Sequence, residues 1–175
     1  MDTRQILSTL WIRRLWRCDK GQEIVEFSLL LPVLLILLFG VVEAGRALAA
    51  EQRLSVLSRE AANIASRGAT LDEALTLVMT NGSDVSLEAR GGAVVSRIVV
   101  VDSLPVVFEQ ETSPGYEERS LLGLPDSVVT VLDGLQLDAG QTMFAVELYL
   151  DQPAFTPLPA FMEDWVGSLY ERAIF

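Results

Sequence analysis

Hydrophobic residues gather in one long block near the start of the chain. Between Ile24 and Val42 the only charged residue is Glu26. These nineteen residues would rise about 28 Å as an α-helix, close to the thickness of about 30 Å of the hydrocarbon core of a bilayer. The pattern therefore predicts one membrane-spanning helix, with a buried helix of a soluble protein as the alternative.

The helical pattern continues beyond this apolar block. Small and apolar residues recur at intervals of three and four, as they do on one face of an amphipathic helix. These residues are Ala50, Leu54, Leu57, Ala61, Ile64 and Ala65. Gly68 is suited to end the helix, because glycine readily adopts the left-handed conformation common at helix C-termini. We expect a helix over residues 22–68 that crosses the membrane and continues into a stalk.

Residues 69–175 show the patterns of a small extracytoplasmic head. The spacing of Thr70 and Glu73 is that of a capping box, which predicts a helix reaching Met79 and ending at Asn81-Gly82. Strands are predicted at 93–101, 104–109, 142–150 and 170–175, where β-branched and aromatic residues are frequent, and Pro105 places the second at a start or edge. The predicted fold class is α+β: a long N-terminal transmembrane helix continuing into a stalk, packed on a small, mainly antiparallel β-sheet head.

The segments between these strands are less regular. Residues 109–118 predict an acidic loop, residues 125–132 fit a short helix or a strand equally well, and residues 161–168 predict a short helix. Two groups of acidic residues in the head could supply carboxylates for Ca²⁺, but neither has the glycine-centred spacing of an EF-hand. They are Glu109, Glu111, Glu117, Glu118, Asp133 and Asp138. We expect them to form a solvated acidic surface.

Composition narrows the possible chemistry. The chain has 13 basic and 24 acidic residues, no His and one Cys, and its formal net charge is −11. The negative charge argues against a nucleic-acid partner. Without His, with Cys18 alone and with Lys20 as the one lysine, His-based acid–base catalysis, Cys/His metal sites and intramolecular disulfides are excluded. We expect no enzyme activity, no catalytic residue, no metal site and no cofactor.

A basic leader precedes the apolar block. Residues 1–21 contain five basic and two acidic residues, a balance of +3, whereas residues 22–175 contain eight and twenty-two, a balance of −14. By the positive-inside rule, the N-terminus is expected in the cytoplasm and the head on the far side of the inner membrane.

The junction between leader and apolar block carries the most specific motif. It reads Lys20-Gly21-Gln22-Glu23-Ile24-Val25-Glu26-Phe27. This arrangement resembles a type IV prepilin, in which a membrane-bound prepilin peptidase cuts after a glycine at the cytoplasmic face. The resemblance implies cleavage between Gly21 and Gln22. Glu26 and Phe27 would then be the fifth and sixth residues of the mature chain, matching the Glu-aromatic pair of the tight-adherence (Tad, or Flp) branch.

The resemblance continues through Phe27-Ser28-Leu29-Leu30-Leu31-Pro32 and Phe39-Gly40-Val41-Val42-Glu43-Ala44-Gly45-Arg46. These segments are similar to the TadE-like minor pilins, or pseudopilins, and the TadF-like proteins remain an alternative. The implied function is assembly of a tight-adherence type IV pilus, with roles in adhesion and biofilm. The implied partners are the prepilin peptidase, the other pilins and pseudopilins of the Tad system, and the inner membrane. The resemblance implies a place either in the filament or at its base.

Five positions in or just after the apolar block are candidate sites: Glu26 and Phe27 for assembly, and Pro32, Gly40 and Ala44 for a kink or for helix packing. A charge inside a bilayer is costly, by about 2.5–3.5 kcal/mol at the centre of a helix on insertion scales, so Glu26 calls for a partner such as the new amino group of Gln22 in a neighbouring subunit. Pro32 removes one helical hydrogen bond and is either a kink or simply tolerated. Gly40 and Ala44 form a small-xxx-small pair that either permits close helix approach or arises by chance.

Two further expectations complete the reading of the sequence. Glu43 and Arg46 are spaced to pair on one helix face, most simply as a solvated pair at the membrane surface. The functional alternative is an uncleaved single-pass membrane protein that displays a periplasmic binding or sensory head.

Overall fold

The computed structural model describes residues 19–132, 137–153 and 167–175, with side chains described from Glu23 onward. Its helices are α1 (Asp19–Ser66), α2 (Leu71–Asn81) and α3 (Leu87–Arg90), with short 3₁₀ turns at Gly82–Val85 and Thr130–Leu132. Its strands are β1 (Gly91–Val101), β2 (Leu104–Thr112), β3 (Thr142–Asp151) and β4 (Ser168–Ile174). Most of the predicted leader and most of the helix predicted at 161–168 lie outside the described residues.

Helix α1 is continuous through Pro32 and ends close to the predicted glycine. The chain leaves the helix through Gly68, whose φ of 105° lies in the left-handed region. The backbone N–H groups of Gly68 and Ala69 donate to the carbonyls of Ala65 and Ile64, at 3.1 and 3.3 Å. These bonds satisfy carbonyls that a helix end leaves without partners, so the predicted C-terminal stop is confirmed.

Helix α2 begins with the predicted capping box. The Oγ1 atom of Thr70 accepts a hydrogen bond from the Glu73 N–H at 3.2 Å, and Oε2 of Glu73 accepts one from the Thr70 N–H at 2.9 Å. Two backbone N–H donors at the helix start are thereby satisfied by two side chains that lie three positions apart. The helix ends at Asn81 with Gly82 as its C-cap, as the sequence predicts.

Among the described residues, the strands form one antiparallel sheet in the order β2-β1-β3-β4. Asp102 and Ser103, both with positive φ, make the tight turn between β1 and β2. Strand β2 lies at an edge, as Pro105 predicted, but it extends to Thr112, because its pairing with β1 continues as far as Val94. The expected acidic loop is therefore shorter than predicted.

The segment at 125–132 combines features of both predicted alternatives. Val128 forms an isolated antiparallel bridge with Val106 of β2, and the 3₁₀ turn Thr130–Leu132 follows it. The N–H of Val107 donates to the carbonyl of Ser127 at 3.0 Å. This part of the chain therefore covers the outer edge of β2 near Val106, without forming a full strand.

Both faces of the sheet are covered. The second half of α1 and helix α2 pack against one face, where the alternating residues of the strands meet the helices in a hydrophobic core. The buried residues of this core include Leu54, Leu57, Ala61, Val78, Val95, Val146, Leu148 and Ala173. On the other face, the segment that follows β2 supplies Leu122, Val129 and Leu132, which pack against Ile98, Val107 and Met143. The predicted α+β fold, with a long helix packed on an antiparallel sheet, is confirmed.

The chain separates into two compact units, residues 1–42 and residues 43–175. In the first unit, the described part is the apolar half of α1, which is long and apolar enough to cross a membrane. Its large hydrophobic side chains from Ile24 to Leu38 are exposed on the protein's own surface. The second unit holds the rest of α1 together with the sheet and its covering segments.

Candidate functional sites in the apolar helix and the head

The Gly21-Gln22 junction lies within the helical backbone of α1, which begins at Asp19. The helix therefore starts before the predicted boundary at residue 22. Most of the basic leader on its N-terminal side, residues 1–18, lies outside the described residues.

Glu26 and Phe27 are exposed on α1, Phe27 to 59%. Nearby, the Ser28 hydroxyl donates to the Val25 carbonyl at 2.8 Å, which satisfies this polar side chain within the helix. Both members of the Glu-aromatic pair are thus open to lipid or to another helix.

The positions suggested for a kink or for helix packing also lie on open surface. α1 remains helical on both sides of Pro32. A Cβ atom placed on Gly40 would meet no heavy atom within 4 Å, outside its sequence neighbours and the nearby helix backbone. Ala44 is exposed as well. The small residues thus leave surface that another helix can approach closely.

Glu43 and Arg46 form the predicted ion pair, but the expectation of a solvated pair is wrong. Nη1 of Arg46 lies 3.3 Å from Oε2 of Glu43, whose side chain is only 2% exposed. A charge removed from water requires compensation by a partner, which Arg46 supplies here. Glu43 therefore lies in the interior of the second unit, whereas the side chain of Arg46 is 38% exposed and still reaches solvent.

The most unusual polar group of the head is Glu147, in the middle of β3 and 0% exposed. Its Oε1 accepts hydrogen bonds from the Leu121 N–H at 2.9 Å and the Tyr170 hydroxyl at 2.8 Å. Its Oε2 accepts one from the Ser120 hydroxyl. Hydrogen bonds from several donors can stabilise a buried carboxylate that no basic side chain contacts directly. Glu147 thus joins β3 to β4 and to the segment that follows β2.

Two tyrosines line this buried carboxylate. The Tyr149 hydroxyl donates to the Arg119 carbonyl at 2.6 Å and lies 3.3 Å from Oε1 of Glu147. Burial raises the pKa of Tyr149, and the negative charge of Glu147 raises it further. Burial also raises the pKa of Tyr170, together with the hydrogen bond that this hydroxyl donates to Glu147. Both hydroxyls therefore stay protonated to a higher pH than a tyrosine in water.

Sequence reasoning missed this network. Glu147 lies between Val146 and Leu148, and strict alternation in a strand assigns an acidic residue at this position to a solvated face. The closely spaced Tyr149 was the available signal, because a tyrosine can bury its ring while its hydroxyl serves a polar partner.

Two of the acidic residues considered for Ca²⁺, Glu109 and Glu117, have partners of their own, and Asp133 lies outside the described residues. Oε2 of Glu109 forms an ion pair with Nη2 of Arg97 at 2.8 Å, and this guanidinium also lies over the Phe108 ring. Oε1 of Glu117 accepts from the Gly115 N–H, and hydrogen bonds from the backbone lower the pKa of Glu117. No group of three or more acidic or Cys side chains among the described residues is arranged to hold a metal ion.

Comparison with known families addresses the N-terminal helix of this arrangement. The family model described as TadE-like protein matches residues 21–63, which begin at the predicted junction and cover most of α1. The match supports a TadE-like protein. The matched segment includes most of the helix that is long and apolar enough to cross a membrane. Searches of curated proteins and of solved structures found no match to this chain.

Proposed function

We propose that the chain is the precursor of a TadE-like pseudopilin that acts in the assembly of a tight-adherence type IV pilus. The observation that carries this proposal is the family match that starts at Gly21, the residue preceding the expected cut. The Glu26-Phe27 pair at mature positions five and six and the exposed apolar helix support the same reading. The work of the protein is then assembly through helix packing, without reaction chemistry.

This proposal divides the chain by role. Residues 1–21 are a leader that stays in the cytoplasm until the peptidase removes it, and residues 22–68 anchor the protein in the inner membrane and form the stalk. Residues 69–175 form an extracytoplasmic head. The acidic balance of everything after the leader supports this orientation.

Glu26 is proposed to set the axial position of a subunit among its neighbours. Cleavage creates a positively charged amino group on Gln22, which can pair with Glu26 of an adjacent helix. At 4 Å and an effective dielectric constant of 20, the attraction is about 4 kcal/mol before the cost of desolvation. Since desolvation offsets much of this gain, the pair contributes more to register than to net stability.

The test is intact-mass and N-terminal analysis of the full-length protein, expressed in membranes with a matched prepilin peptidase. We expect a new N-terminus at Gln22 and the loss of the mass of residues 1–21. Expression with a catalytically inactive peptidase should leave Met1 in place. Gly21→Leu should prevent cleavage, whereas Gly40→Leu, a matched glycine variant away from the junction, should be cut normally.

Retention of residues 1–21 in the presence of active peptidase would refute the precursor assignment. That result would favour the alternative, a permanent single-pass anchor that displays a binding or sensory head.

A further inference from the structure

A small cavity opens in the second unit where α1, α3 and the end of β3 meet. Its volume is about 230 Å³, and its lining includes Arg46, Ala50, Asp84, Arg90, Leu150 and Gln152. At about 30 Å³ for each water in the liquid, this space is equivalent to seven or eight waters. It therefore suits the polar headgroup of a lipid, whose acyl chains would remain outside.

Among the described residues around the cavity, basic side chains exceed acidic ones by one. Asp84 is held by Arg53, whose Nε lies 2.7 Å from Oδ2, and its Oδ1 accepts from the Val85 N–H. Arg46 pairs with Glu43. Arg90 uses one N–H of its guanidinium to reach the Val85 carbonyl at 2.8 Å. Since a guanidinium carries five N–H donors, Arg90 can also bind a phosphate oxygen.

Gln152 adds an independent sign of an absent ligand. It lines the cavity, is 5% exposed, and its Oε1 has no hydrogen-bond partner in the part of the chain that the structure describes. A buried amide oxygen without a donor is unfavourable and calls for a bound group that supplies one. Arg90 supplies donors to an anion, whereas Gln152 accepts from a hydroxyl, so the matching ligand carries both groups.

The position of the cavity along α1 points to a lipid as the source of this ligand. Arg46 follows Val42, the last residue of the apolar block, by four positions in one continuous helix. Four helical residues rise about 6 Å, which is comparable with the depth of a bilayer's headgroup layer. Arginine at this level is well suited to bind the phosphate of an anionic lipid.

We propose that this cavity binds the headgroup of an anionic phospholipid that carries a free hydroxyl, of the phosphatidylglycerol type. Arg90 binds the phosphate, and Oε1 of Gln152 accepts a hydrogen bond from a headgroup hydroxyl. The inference rests on membrane anchoring through α1, and it is independent of leader cleavage and of any role in pili.

The test uses the full-length protein in detergent with an equimolar mixture of phosphatidylglycerol and phosphatidylethanol, two anionic phosphodiesters of which only the first has headgroup hydroxyls. Native mass spectrometry then measures the lipid retained. We expect the wild type to retain at least fivefold more phosphatidylglycerol than phosphatidylethanol. Gln152→Met, which lacks the amide oxygen, should bind the two lipids equally.

Arginine variants test the phosphate contact. Arg90→Gln should lower retention of both lipids about tenfold, while Arg90→Lys should keep most of it. Arg67→Gln, an exposed residue beyond the end of α1, removes the same charge away from the cavity and should change nothing. Thermal unfolding of each variant identifies any loss that comes from misfolding, and Gln152→Met still tests the site if Arg90→Gln is unstable.

Several outcomes would overturn the proposal. Equal retention of the two lipids by the wild type would refute the role of Gln152, and an equal loss in Arg67→Gln and Arg90→Gln would indicate general electrostatic attraction. Displacement of the lipid by an equal concentration of glycerol 1-phosphate would assign the cavity to a soluble anion instead of a membrane lipid.

Discussion

The hydroxyl of Tyr170 on β4 donates a hydrogen bond of 2.8 Å to Oε1 of Glu147 on β3. The same oxygen accepts from the backbone N–H of Leu121, in the segment that covers this face of the sheet. The carboxylate therefore connects three parts of the head through one side chain. A charged acceptor strengthens each of these bonds, because charge-assisted hydrogen bonds exceed neutral ones in strength.

Replacing this carboxylate should destabilise the head. Glu147→Gln keeps the shape but replaces one acceptor oxygen with an amide N–H₂ group, which faces donors and leaves them without partners. We expect a loss of about 1–3 kcal/mol in the free energy of unfolding, measured by denaturant titration of the full-length protein in detergent.

Two variants calibrate this measurement. Glu111→Gln removes an exposed carboxylate on the edge strand β2 and should change stability by less than about 0.5 kcal/mol. Tyr170→Phe removes one donor while the other bonds to Glu147 remain, so a loss of about 1 kcal/mol is expected. Wild-type stability in Glu147→Gln would contradict the connecting role of the carboxylate.

Alkaline pH should weaken the fold through the tyrosines of the same network. Burial and Glu147 raise the pKa of Tyr149 and Tyr170 above the ordinary value of 10.0. Above pH 10 the unfolded chain releases these protons while the folded chain retains them, so the folded state loses its advantage as the pH rises. This contribution to stability is complete below pH 10.

The unfolding midpoint is measured at a series of pH values from 8 to 11.5. Absorbance near 295 nm reports the ionisation of the tyrosines in the same samples. In the double variant Tyr149→Phe/Tyr170→Phe, the decline above pH 10 should become shallower. An equally steep decline in this variant would show that other groups cause it.

Removing the charge of Glu26 should impair pilus assembly without impairing membrane insertion. Glu26→Ala makes the apolar block more hydrophobic, so insertion should be unaffected or improved. Under the proposed function, pilus yield should fall at least tenfold, because the partner of the new amino group is gone. Counting pili by electron microscopy alongside membrane fractionation measures both effects.

Glu51→Ala provides the matched control, because Glu51 is an exposed glutamate on the same helix beyond the apolar block. It should assemble normally. Normal piliation with Glu26→Ala would show that pilus assembly does not require the carboxylate of Glu26.

A bulky residue at Gly40 should impair helix association without unfolding the protein. A Cβ atom at position 40 would meet no heavy atom within 4 Å outside the sequence neighbours and the nearby helix backbone, so the side chain of Gly40→Leu can start there without a clash. A neighbouring helix that approaches at this position would be displaced, and we expect several-fold less intermolecular crosslinking within the membrane. Val41→Leu, at the adjacent exposed position, should crosslink as the wild type does. Equal crosslinking by both variants would indicate that Gly40 has no role in helix packing and that the small-xxx-small pair arises by chance.

Features decided by contacts within a few residues were predicted from the sequence. The capping box of Thr70 and Glu73 and the helix stop at Gly68 each depend on neighbours no more than five positions away. Strand locations were also predicted well, because β-branched runs mark them. The extension of β2 to Thr112 was missed, since it depends on pairing with β1 and not on composition.

Burial of charged side chains could not be predicted in the same way. Glu147 accepts a hydrogen bond from the N–H of Leu121, which lies 26 positions away in the sequence, and no local pattern predicts that contact. Glu43 follows the apolar block like an ordinary interfacial residue, yet its side chain is 2% exposed. In both cases the decisive fact is which distant segment covers the residue, and this depends on the whole fold.

The second half of α1 supplies much of the hydrophobic layer beneath the sheet, through residues such as Leu54, Leu57 and Ala61. A fragment starting at residue 69 would therefore expose Val146 and Leu148 to water. It would lose the hydrophobic burial that stabilises the folded sheet. Residues 43–66 precede every strand of the sheet in the chain, so this stretch of helix is synthesised before the strands that it covers. Under the proposed function, the sheet can therefore fold as soon as its own strands have been exported.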